Sequence, residues 1–169
     1  PLVTRSGNAE DREAARLRRI ELALLEKTET VQTAGAFHDL GRFYLTQQRF
    51  TDAVKALERS LSLDGKNVGV LNDLGSVYLE RSRSEQPSEK FKSLSTALEK
   101  FAYAEEIAPT DRASIFNKAQ CLQALSLNNE AKKAWQRYLE LDSSSGWADE
   151  ARKALEKLDA LSATKSKEQ

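Results

Sequence analysis

Few residues in this chain could carry out covalent chemistry, since it has a single histidine, His38, and a single cysteine, Cys121. Sites built from several histidines and the H-E-x-x-H motif are therefore excluded, while a nucleophile–histidine pair would need His38. Asp and Glu pairs are frequent, but none is enclosed by the apolar sequence that acid–base work requires. The sequence predicts no enzyme: no catalytic residue, no metal and no cofactor. His38 is more typical of a ligand contact or a plain surface position.

Two further motifs have structural explanations. Cys121 lies in register with Phe43 and Val77 of earlier segments, and these apolar equivalents favour a buried small hydrophobe over a reactive thiol. Residues 65–69 (GKNVG) resemble a phosphate-binding loop, but they lack the G-x-x-x-x-G-K-[ST] order and follow a predicted helix. We therefore expect a helix-stop turn at this point.

The charge balance argues against a nucleic-acid partner. Lys+Arg and Asp+Glu are both 26, for a formal net charge of +0, whereas nucleic-acid binders usually show a basic excess on one face. The one basic cluster, residues 16–19, sits among acidic residues and is typical of a solvated face. No apolar run approaches the roughly 18–20 residues of a membrane span, and no signal peptide is evident. A cytoplasmic location is favoured, and the missing initial methionine indicates a segment of a longer parent chain.

A short motif recurs along the chain and defines its organisation. Leu-Gly-x-x-Tyr at residues 40–44 returns at residues 74–78, a period of about 34 residues that is typical of stacked helical hairpins. Good helix formers dominate, with only 3 Pro and 7 Gly, so we predict an all-α protein. The expected segments are an irregular leader at 1–7, an N-terminal capping helix at 8–33, repeats at 34–67, 68–111 and 112–145, a C-terminal capping helix at 146–161 and a flexible tail at 162–169.

The second repeat is longer than the others. Relative to a period of about 34 residues, it carries about ten extra residues between Tyr78 and Ala97. Residues 81–87 contain the added length, and Pro87 suits the first turn of a helix. We predict two lengthened helices that meet at a longer turn. If they share the added residues, each grows by roughly 7 Å at a rise of about 1.5 Å per residue.

Small residues at regular positions indicate how the helices pack. Antiparallel helices approach closely where a small residue leaves a notch for a large one. Gly41 and Gly75 supply that notch in the first helices of two repeats, and Ala119 takes the equivalent place in the third. The terminal helices are expected to cover the stack. Each would use one apolar stripe: Ala14, Leu17, Ile20 and Leu24 in the first, and Trp147, Ala151, Leu155 and Leu158 in the last.

The repeated motif, a later Ala, a large apolar residue and a Pro near the boundary resemble the tetratricopeptide repeat over about residues 34–141. The first copy matches best, whereas the third has Lys118-Ala119 and Leu122 in place of Leu-Gly and Tyr. The resemblance implies a right-handed α-solenoid of antiparallel helix pairs, with three hairpins and capping helices at both ends. In this family the first helices of successive hairpins line a concave groove.

Carried over by motif position, a peptide-binding groove would be lined by three residues from each repeat: His38, Arg42 and Leu45; Asn72, Ser76 and Leu79; Phe116, Gln120 and Gln123. This mixture suits an extended or helical peptide, with amides and Arg fixing its backbone and apolar side chains adding contact. Ordinary solvated positions are the alternative. The family's clamp for C-terminal carboxylates is not reproduced, because Asp73, Ala113 and Asn117 stand where it needs an amide and two cations.

The resemblance therefore implies a non-enzymatic module that binds a protein or peptide partner, such as the remainder of its own parent chain, as a monomer or weak homodimer. A narrower likeness suggests an alternative. Residues 1–5 (PLVTR), 116–119 (FNKA) and 145–151 (SGWADEA) resemble repeat segments that precede caspase-like CHAT protease domains in bacterial proteins. On this alternative the chain is the sensor arm of a larger enzyme whose catalytic domain lies outside it.

Overall fold

The computed structural model describes the backbone of residues 7–165 and the side chains of residues 9–163. Within these residues all regular structure is α-helical and no strand occurs, so the predicted all-α class is confirmed. The helices are α1 (Gly7–Thr30), α2 (Ala34–Thr46), α3 (Phe50–Leu63), α4 (Val68–Arg81), α5 (Pro87–Ile107), α6 (Arg112–Ala124), α7 (Asn128–Leu141) and α8 (Gly146–Lys165). The chain divides into two compact units, Pro1–Gly65 with α1 to α3 and Lys66–Gln169 with α4 to α8.

The α2–α3 hairpin of the first unit closes around a glycine notch. Thr33 starts α2, because its side-chain oxygen accepts a hydrogen bond from the Ala36 N–H at 3.3 Å. Gly41 then lies against Leu57 of α3. A Cβ atom at Gly41 would be 2.5 Å from Leu57 Cγ, closer than two carbon atoms can pack. The notch predicted for this repeat is confirmed.

α1 packs in the first unit mainly through its C-terminal half. Thr28 is buried and Leu24 is half-buried, whereas Ala14 and Ile20 are exposed. The predicted inward stripe, which also included the half-buried Leu17, is therefore only partly correct. The reason is length: α1 has 24 residues and reaches beyond the 13-residue α2 against which it packs.

The second unit repeats the notch with larger side chains. A Cβ atom at Gly75 in α4 would lie 2.5 Å from Cε1 of Phe101 in α5, and Phe101 is fully buried. In the next hairpin Ala119 of α6 belongs to the same core cluster as Trp135 of α7. The predicted positions at Gly75 and Ala119 are thus confirmed. In each hairpin a small residue on the first helix accommodates a large side chain of the second.

The added residues of the second repeat lengthen one helix only. α4 has 14 residues, close to the 13 of α2 and α6, whereas α5 has 21 residues against 14 in α3 and in α7. The predicted lengthening of both helices is wrong. Pro87 occupies the first turn of α5 as predicted, where its missing N–H has no cost. Arg81 ties the intervening turn to α5, since Nη2 donates to Ser93 Oγ at 3.0 Å and Nε lies 2.9 Å from Glu85 Oε1.

The two terminal helices are longer than the sequence predicted. α1 begins at Gly7, inside the expected leader, and the rest of that leader lies outside the described residues. α8 continues to Lys165, into the expected tail, whose last residues are likewise outside them. Within this extension the Ser162 hydroxyl donates to the Leu158 carbonyl four residues earlier at 2.9 Å, a bond that serine side chains make inside helices.

The connecting turns do not depend on glycine. Gln32, Gln48 and Ser126 have φ angles of 48°, 55° and 60°, while no glycine in the described part of the chain has a positive φ. Residues 65–66 form a turn between α3 and α4, and the Asn67 side chain then caps α4 by accepting from the Val70 N–H at 3.1 Å. The expected turn is present at this point, and no strand precedes it as a phosphate loop would require.

Candidate functional site

One cleft in the second unit brings aromatic and charged side chains together. It has a volume of about 860 Å³ and is bounded by the end of α4, the first turns of α6 and residues of α7 and α8. Two of the predicted groove residues, Phe116 and Gln120, line it. The other lining residues are Glu80, Arg83, Thr110, Asp111, Arg112, Ala113, Asn117, Tyr138, Asp142, Ser145 and Trp147.

Phe116 is the centre of an aromatic cluster that forms one wall of the cleft. Its ring centroid lies 4.9 Å from Trp135, 5.1 Å from Tyr138 and 5.1 Å from Trp147, with interplanar angles of 80°, 69° and 78°. Edge-to-face contacts of this kind are the favoured geometry of aromatic pairs. Phe116 is only 6% exposed, so it supports the core as well as lining the cleft.

Trp147 is the exposed member of that cluster, with 60% of its side chain accessible. The sequence placed it in the inward stripe of the last helix with Ala151, Leu155 and Leu158. Ala151 and Leu158 are buried and Leu155 is half-buried, but Trp147 is not, so this part of the prediction is wrong. Trp147 belongs to the first turn of α8, where its indole packs against Phe116 at the edge of the cleft instead of between helices.

Asp142 joins the end of α7 to the start of α8 beside the cleft. Its carboxylate accepts from the Ser145 hydroxyl at 2.6 Å, the Ser145 N–H at 3.1 Å, the Ser144 N–H at 3.3 Å and the Tyr138 hydroxyl at 3.0 Å. These bonds, with that of the Ser145 hydroxyl first, lower the pKa of Asp142 to about 2. Burial raises the pKa of Tyr138, which therefore stays a protonated donor. Asp142 is thus a negative charge in the cleft wall at neutral pH.

A second carboxylate, Asp111, caps α6 and connects it to α4. It accepts from the Ser114 N–H at 2.8 Å, the Ser114 hydroxyl at 2.6 Å and the Asn72 side-chain amide at 3.1 Å. Partial burial opposes ionisation, but these hydrogen bonds and the charge of Arg112 outweigh it and lower the pKa of Asp111. Asn72, a predicted groove contact, is itself buried and also donates to Ser114 Oγ at 2.9 Å. The two hydrogen bonds of the Asn72 amide therefore help to hold Asp111 at the start of α6.

Two arginines complete the charges of the cleft. Arg112 is 61% exposed and its Nη1 lies 3.6 Å from Asp142 Oδ2, whereas Arg83 is 66% exposed and its Nη2 lies 3.1 Å from Glu80 Oε1. With Asp111, the wall carries three carboxylates and two guanidinium groups. The Arg83–Glu80 pair is solvent-exposed and contributes about 0–1 kcal/mol to stability. In the other pair only Arg112 is exposed, since the Asp142 side chain is 7% accessible.

The two predicted glutamines lie on the side of α6 that faces α7 and α8. Gln120 donates from Nε2 to Glu150 Oε1 at 3.1 Å, and it lines both the aromatic cleft and a smaller depression beside it. Gln123 accepts from the Trp135 indole N–H at 3.3 Å and lines only the smaller depression. Of the two predicted glutamines, only Gln120 lines the aromatic cleft.

The predicted contacts on α4 have internal roles. Ser76 donates its hydroxyl to the Asn72 carbonyl at 2.9 Å, within the same helix. Leu79 is 7% exposed and belongs to a core cluster with Phe101 and Cys121, so the expectation of an exposed groove contact there is not met. Leu79 packs against α5, and it is one of seven buried residues in the 14-residue α4.

The first-unit members of the predicted groove lie on α2. His38 and Leu45 are half-buried and Arg42 is exposed. Their spacing places them on one face of the helix, since side chains three and four residues apart lie on the same side. Their assignment to a ligand groove stays a prediction.

The candidate nucleophile is not available for reaction. Cys121 is fully buried, its thiol donates to the Leu94 carbonyl at 3.1 Å, and burial raises its pKa to about 12. The sequence-based expectation of a buried small hydrophobe is confirmed. Among the described residues, no group of three or more His, Cys, Asp or Glu side chains could hold a metal ion. In that same part of the chain, no helix combines the length and apolarity needed to cross a membrane.

Sequence reasoning missed most of the cleft. Trp147, Tyr138 and the two carboxylates Asp111 and Asp142 were not among the predicted site residues. One signal was present: Tyr138 precedes Asp142 by one helical turn, a spacing at which side chains meet. The serine-rich turn that follows Asp142 offers the hydroxyl and N–H donors that bind its carboxylate.

Comparison with known proteins agrees with this architecture. Residues 34–67 match the sequence model of the tetratricopeptide repeat. A thermophilic TPR protein of Thermus thermophilus, TTC0263, is 18% identical with a TM-score of 0.69, covering 89% of this chain and 76% of that one. The first TPR of Spaghetti (RPAP3), bound to the HSP90 peptide SRMEEVD, is 21% identical with a TM-score of 0.66, covering 78% and 97%. The second TPR domain of human RPAP3, in complex with the HSP70 peptide SGPTIEEVD, is 18% identical with a TM-score of 0.60, covering 73% and 92%.

The fold thus defines a protein of helical repeats. Within it, residues 34–67 match the tetratricopeptide repeat over the α2–α3 hairpin. At the identities found, the likeness to the solved structures establishes the shared helical-repeat fold for the larger part of the chain. No curated protein sequence matches the chain.

Proposed function

We propose that this chain is a non-enzymatic protein-interaction module, and that the cleft bounded by α4, α6, α7 and α8 binds a peptide segment of a partner protein. One observation carries the proposal: an open cleft of about 860 Å³ is lined by an aromatic cluster, and Trp147 leaves 60% of its side chain in solvent there. Exposed tryptophans on concave surfaces are frequent centres of binding energy. Two of the structures that share the fold hold peptides, which supports this proposal.

The polar lining of the cleft suits a peptide in particular. Asn117 and Gln120 carry amide groups that can both donate to and accept from a peptide backbone. Their amides stand beside the aromatic wall, so that a ligand can make apolar contact with Trp147 and backbone hydrogen bonds at once. Small residues such as Ala113 leave room for the bound chain.

A random peptide library displayed on phage and selected on the purified chain tests the proposal. Selected peptides should bind the Trp147→Ala variant about tenfold or more weakly, since truncation of a central Trp at an interface costs about 2 kcal/mol or more. Phe116→Ala is less informative, because Phe116 is part of the core. Binding is measured by isothermal titration, and circular dichroism verifies that helicity is retained.

Phe91 supplies a matched control for this experiment. It is 65% exposed on α5 and does not line the cleft, so Phe91→Ala removes an exposed aromatic side chain of similar size elsewhere in the same unit. We expect selected peptides to bind Phe91→Ala like the wild type. Equal binding to Trp147→Ala and wild type, or an equal loss in both variants, would contradict the assignment to the cleft.

A further inference from the structure

We propose that the cleft selects its partner segment through an arginine side chain, whose guanidinium group stacks on Trp147 and pairs with the carboxylates of Asp111 and Asp142. This inference rests on the peptide-binding function proposed above and adds the chemistry of the bound segment. It is carried by three features of the cleft: an exposed indole, an excess of carboxylates, and an arginine of the chain itself that sits loosely beside one of them.

The aromatic surface is the first feature. Trp147 is 60% exposed, while the other tryptophan, Trp135, is 1% exposed in the core. The Trp147 ring is held from one side by an edge-to-face contact with Phe116, at 5.1 Å and 78°. A planar guanidinium group stacks well on an indole, and tryptophan is the aromatic residue that attracts cations most strongly.

The charge of the cleft is the second feature. Its lining has three carboxylates against two guanidinium groups, and Arg83 is paired with Glu80 at the end of α4. Asp111 and Asp142 therefore share the remaining guanidinium group, that of Arg112. Both carboxylates are ionised at neutral pH, because hydrogen bonds from neighbouring donors lower their pKa. The cleft wall is complementary to a ligand with one positive charge.

The position of Arg112 is the third feature. Its Nη1 lies 3.6 Å from Asp142 Oδ2 and its side chain is 61% exposed. A charge-assisted N–H···O bond is shorter, at about 2.7–2.9 Å, so Arg112 approaches the carboxylate without a close hydrogen bond. The ligand's guanidinium group would replace that of Arg112 beside Asp142 and would stack on Trp147 at the same time. Arg112 then competes with the ligand for Asp142. Removal of the Arg112 charge is therefore expected to tighten binding and not to weaken it.

Three blocked pentapeptides serve as probes: acetyl-Gly-Ser-Arg-Ser-Gly-amide, the same peptide with citrulline in place of arginine, and the same peptide with glutamate. Citrulline keeps the shape of arginine but has no charge. Each is titrated into ¹⁵N-labelled chain, and the indole N–H resonance of Trp147 is followed by NMR, assigned with a Trp147→Phe variant. The Trp135 indole N–H, bound to Gln123 at 3.3 Å in the core, serves as an internal reference.

We expect the arginine peptide to shift the Trp147 resonance with saturation, and the citrulline and glutamate peptides to bind at least several-fold more weakly. Arg112→Gln should tighten binding of the arginine peptide about two- to fivefold, as removal of a weak competing ion pair of about 0.2–1 kcal/mol predicts. The control Arg137→Gln should leave binding unchanged. Arg137 is an exposed arginine on α7 paired with Glu140 at 2.7 Å, and it does not line the cleft.

Several results would overturn the inference. If the citrulline peptide binds as tightly as the arginine peptide, the charge is not recognised. If Arg112→Gln binds the arginine peptide as tightly as the wild type or more weakly, Arg112 does not compete with the ligand. Preference for the glutamate peptide reverses the sign of the recognised charge. In each of these cases a peptide still binds at Trp147, so the proposed function survives. If no probe shifts the Trp147 resonance, and library-selected peptides also fail to do so, the inference and the proposed function fail together.

Discussion

Gly75 shows how a single hydrogen atom in place of a methyl group sets the distance between two helices. A Cβ atom at this position would lie 2.5 Å from Cε1 and 2.8 Å from Cδ1 of Phe101. The Phe101 ring is fully buried in a core cluster, so it can shift only by displacing the side chains packed against it. The approach of α4 to α5 therefore requires glycine, for reasons of space and not of backbone conformation.

We predict that Gly75→Ala lowers the free energy of unfolding by about 1–3 kcal/mol, because overpacking a filled core forces side chains off their rotamers. Urea unfolding followed by circular dichroism measures the change. Gly35→Ala is the matched control, since a Cβ there meets nothing within 4 Å and α2 gains a better helix former. That control should leave stability unchanged or raise it by up to about 1 kcal/mol. Equal effects of the two substitutions would mean that the notch is not close-packed.

Asp142 makes stability depend on acid pH. Its pKa falls from an ordinary 3.8 to about 2 in the folded chain, so the folded state binds fewer protons than the unfolded state between these values. The resulting stabilisation is complete above the unfolded pKa and is lost as the pH falls through the folded pKa. We predict that the stability difference between wild type and Asp142→Asn is constant from pH 7 to 5 and shrinks from pH 4 towards pH 2.

Urea unfolding of both proteins at these pH values measures this difference. Asp149→Asn is a suitable control: Asp149 also lies near the start of α8, but it is an exposed partner of Arg152 and its neighbours differ from those of Asp142. This control shows how much of any pH dependence is common to a second aspartate-to-asparagine substitution near the same helix end. A gap between Asp142→Asn and wild type that stays constant down to pH 2 would show that Asp142 is not the group responsible.

At the scale of the helices, Arg81 at the end of α4 contacts both the following turn and the first part of α5. Its guanidinium group donates to Ser93 at 3.0 Å, lies 2.9 Å from Glu85 and stacks over Tyr78 at 4.8 Å from the ring centroid. One oxygen of Glu85, Oε2, is buried without a hydrogen-bond partner among the described atoms. Arg81 thus links the end of α4, the turn and α5 through a single side chain.

We predict that Arg81→Ala destabilises the chain by roughly 1–3 kcal/mol, because it leaves Glu85 and Ser93 without their partner. The first turns of α5 should lose protection from amide hydrogen exchange before the rest of the helix does. Arg83→Ala, two residues away and paired only at the surface, should have little effect. Uniform exchange along α5 in the Arg81 variant would contradict this role.

At the scale of the whole molecule, α4 to α8 have a core of their own. One cluster contains Phe101 and Leu94 with side chains of α4 and α6, and another joins Phe116, Trp135 and Leu158 of α6 to α8. Both clusters use only residues of the unit Lys66–Gln169. We predict that a fragment of residues 66–169 folds alone and unfolds cooperatively on heating, as measured by circular dichroism.

A core substitution tests whether the fragment has the same core as the full chain. Ile115 is 1% exposed in the core of this unit, so Ile115→Ala should lower the melting temperature of the fragment as well as of the full chain. A gradual, non-cooperative transition in the unsubstituted fragment would show that the unit depends on α1 to α3. The alternative that this chain is the sensor arm of a larger enzyme with a caspase-like CHAT protease domain stays a prediction.

The sequence by itself determined the helical class and the notches at Gly41, Gly75 and Ala119. These are local properties. Capping residues such as Thr33 and Asn67 satisfy backbone groups within one turn, and a missing side chain creates space wherever the chain folds.

Only the tertiary structure decided which of the small and aromatic residues meet solvent. Trp147 and Leu158 share one apolar stripe in sequence, yet one is 60% and the other 1% exposed, because α7 and α6 cover only part of α8. The assignment of the added length to α5, the burial of Leu79 and the assembly of Asp111 beside Asp142 likewise depend on helices distant in the chain. Burial is a property of neighbours, and periodicity along one helix carries no information about where those neighbours end.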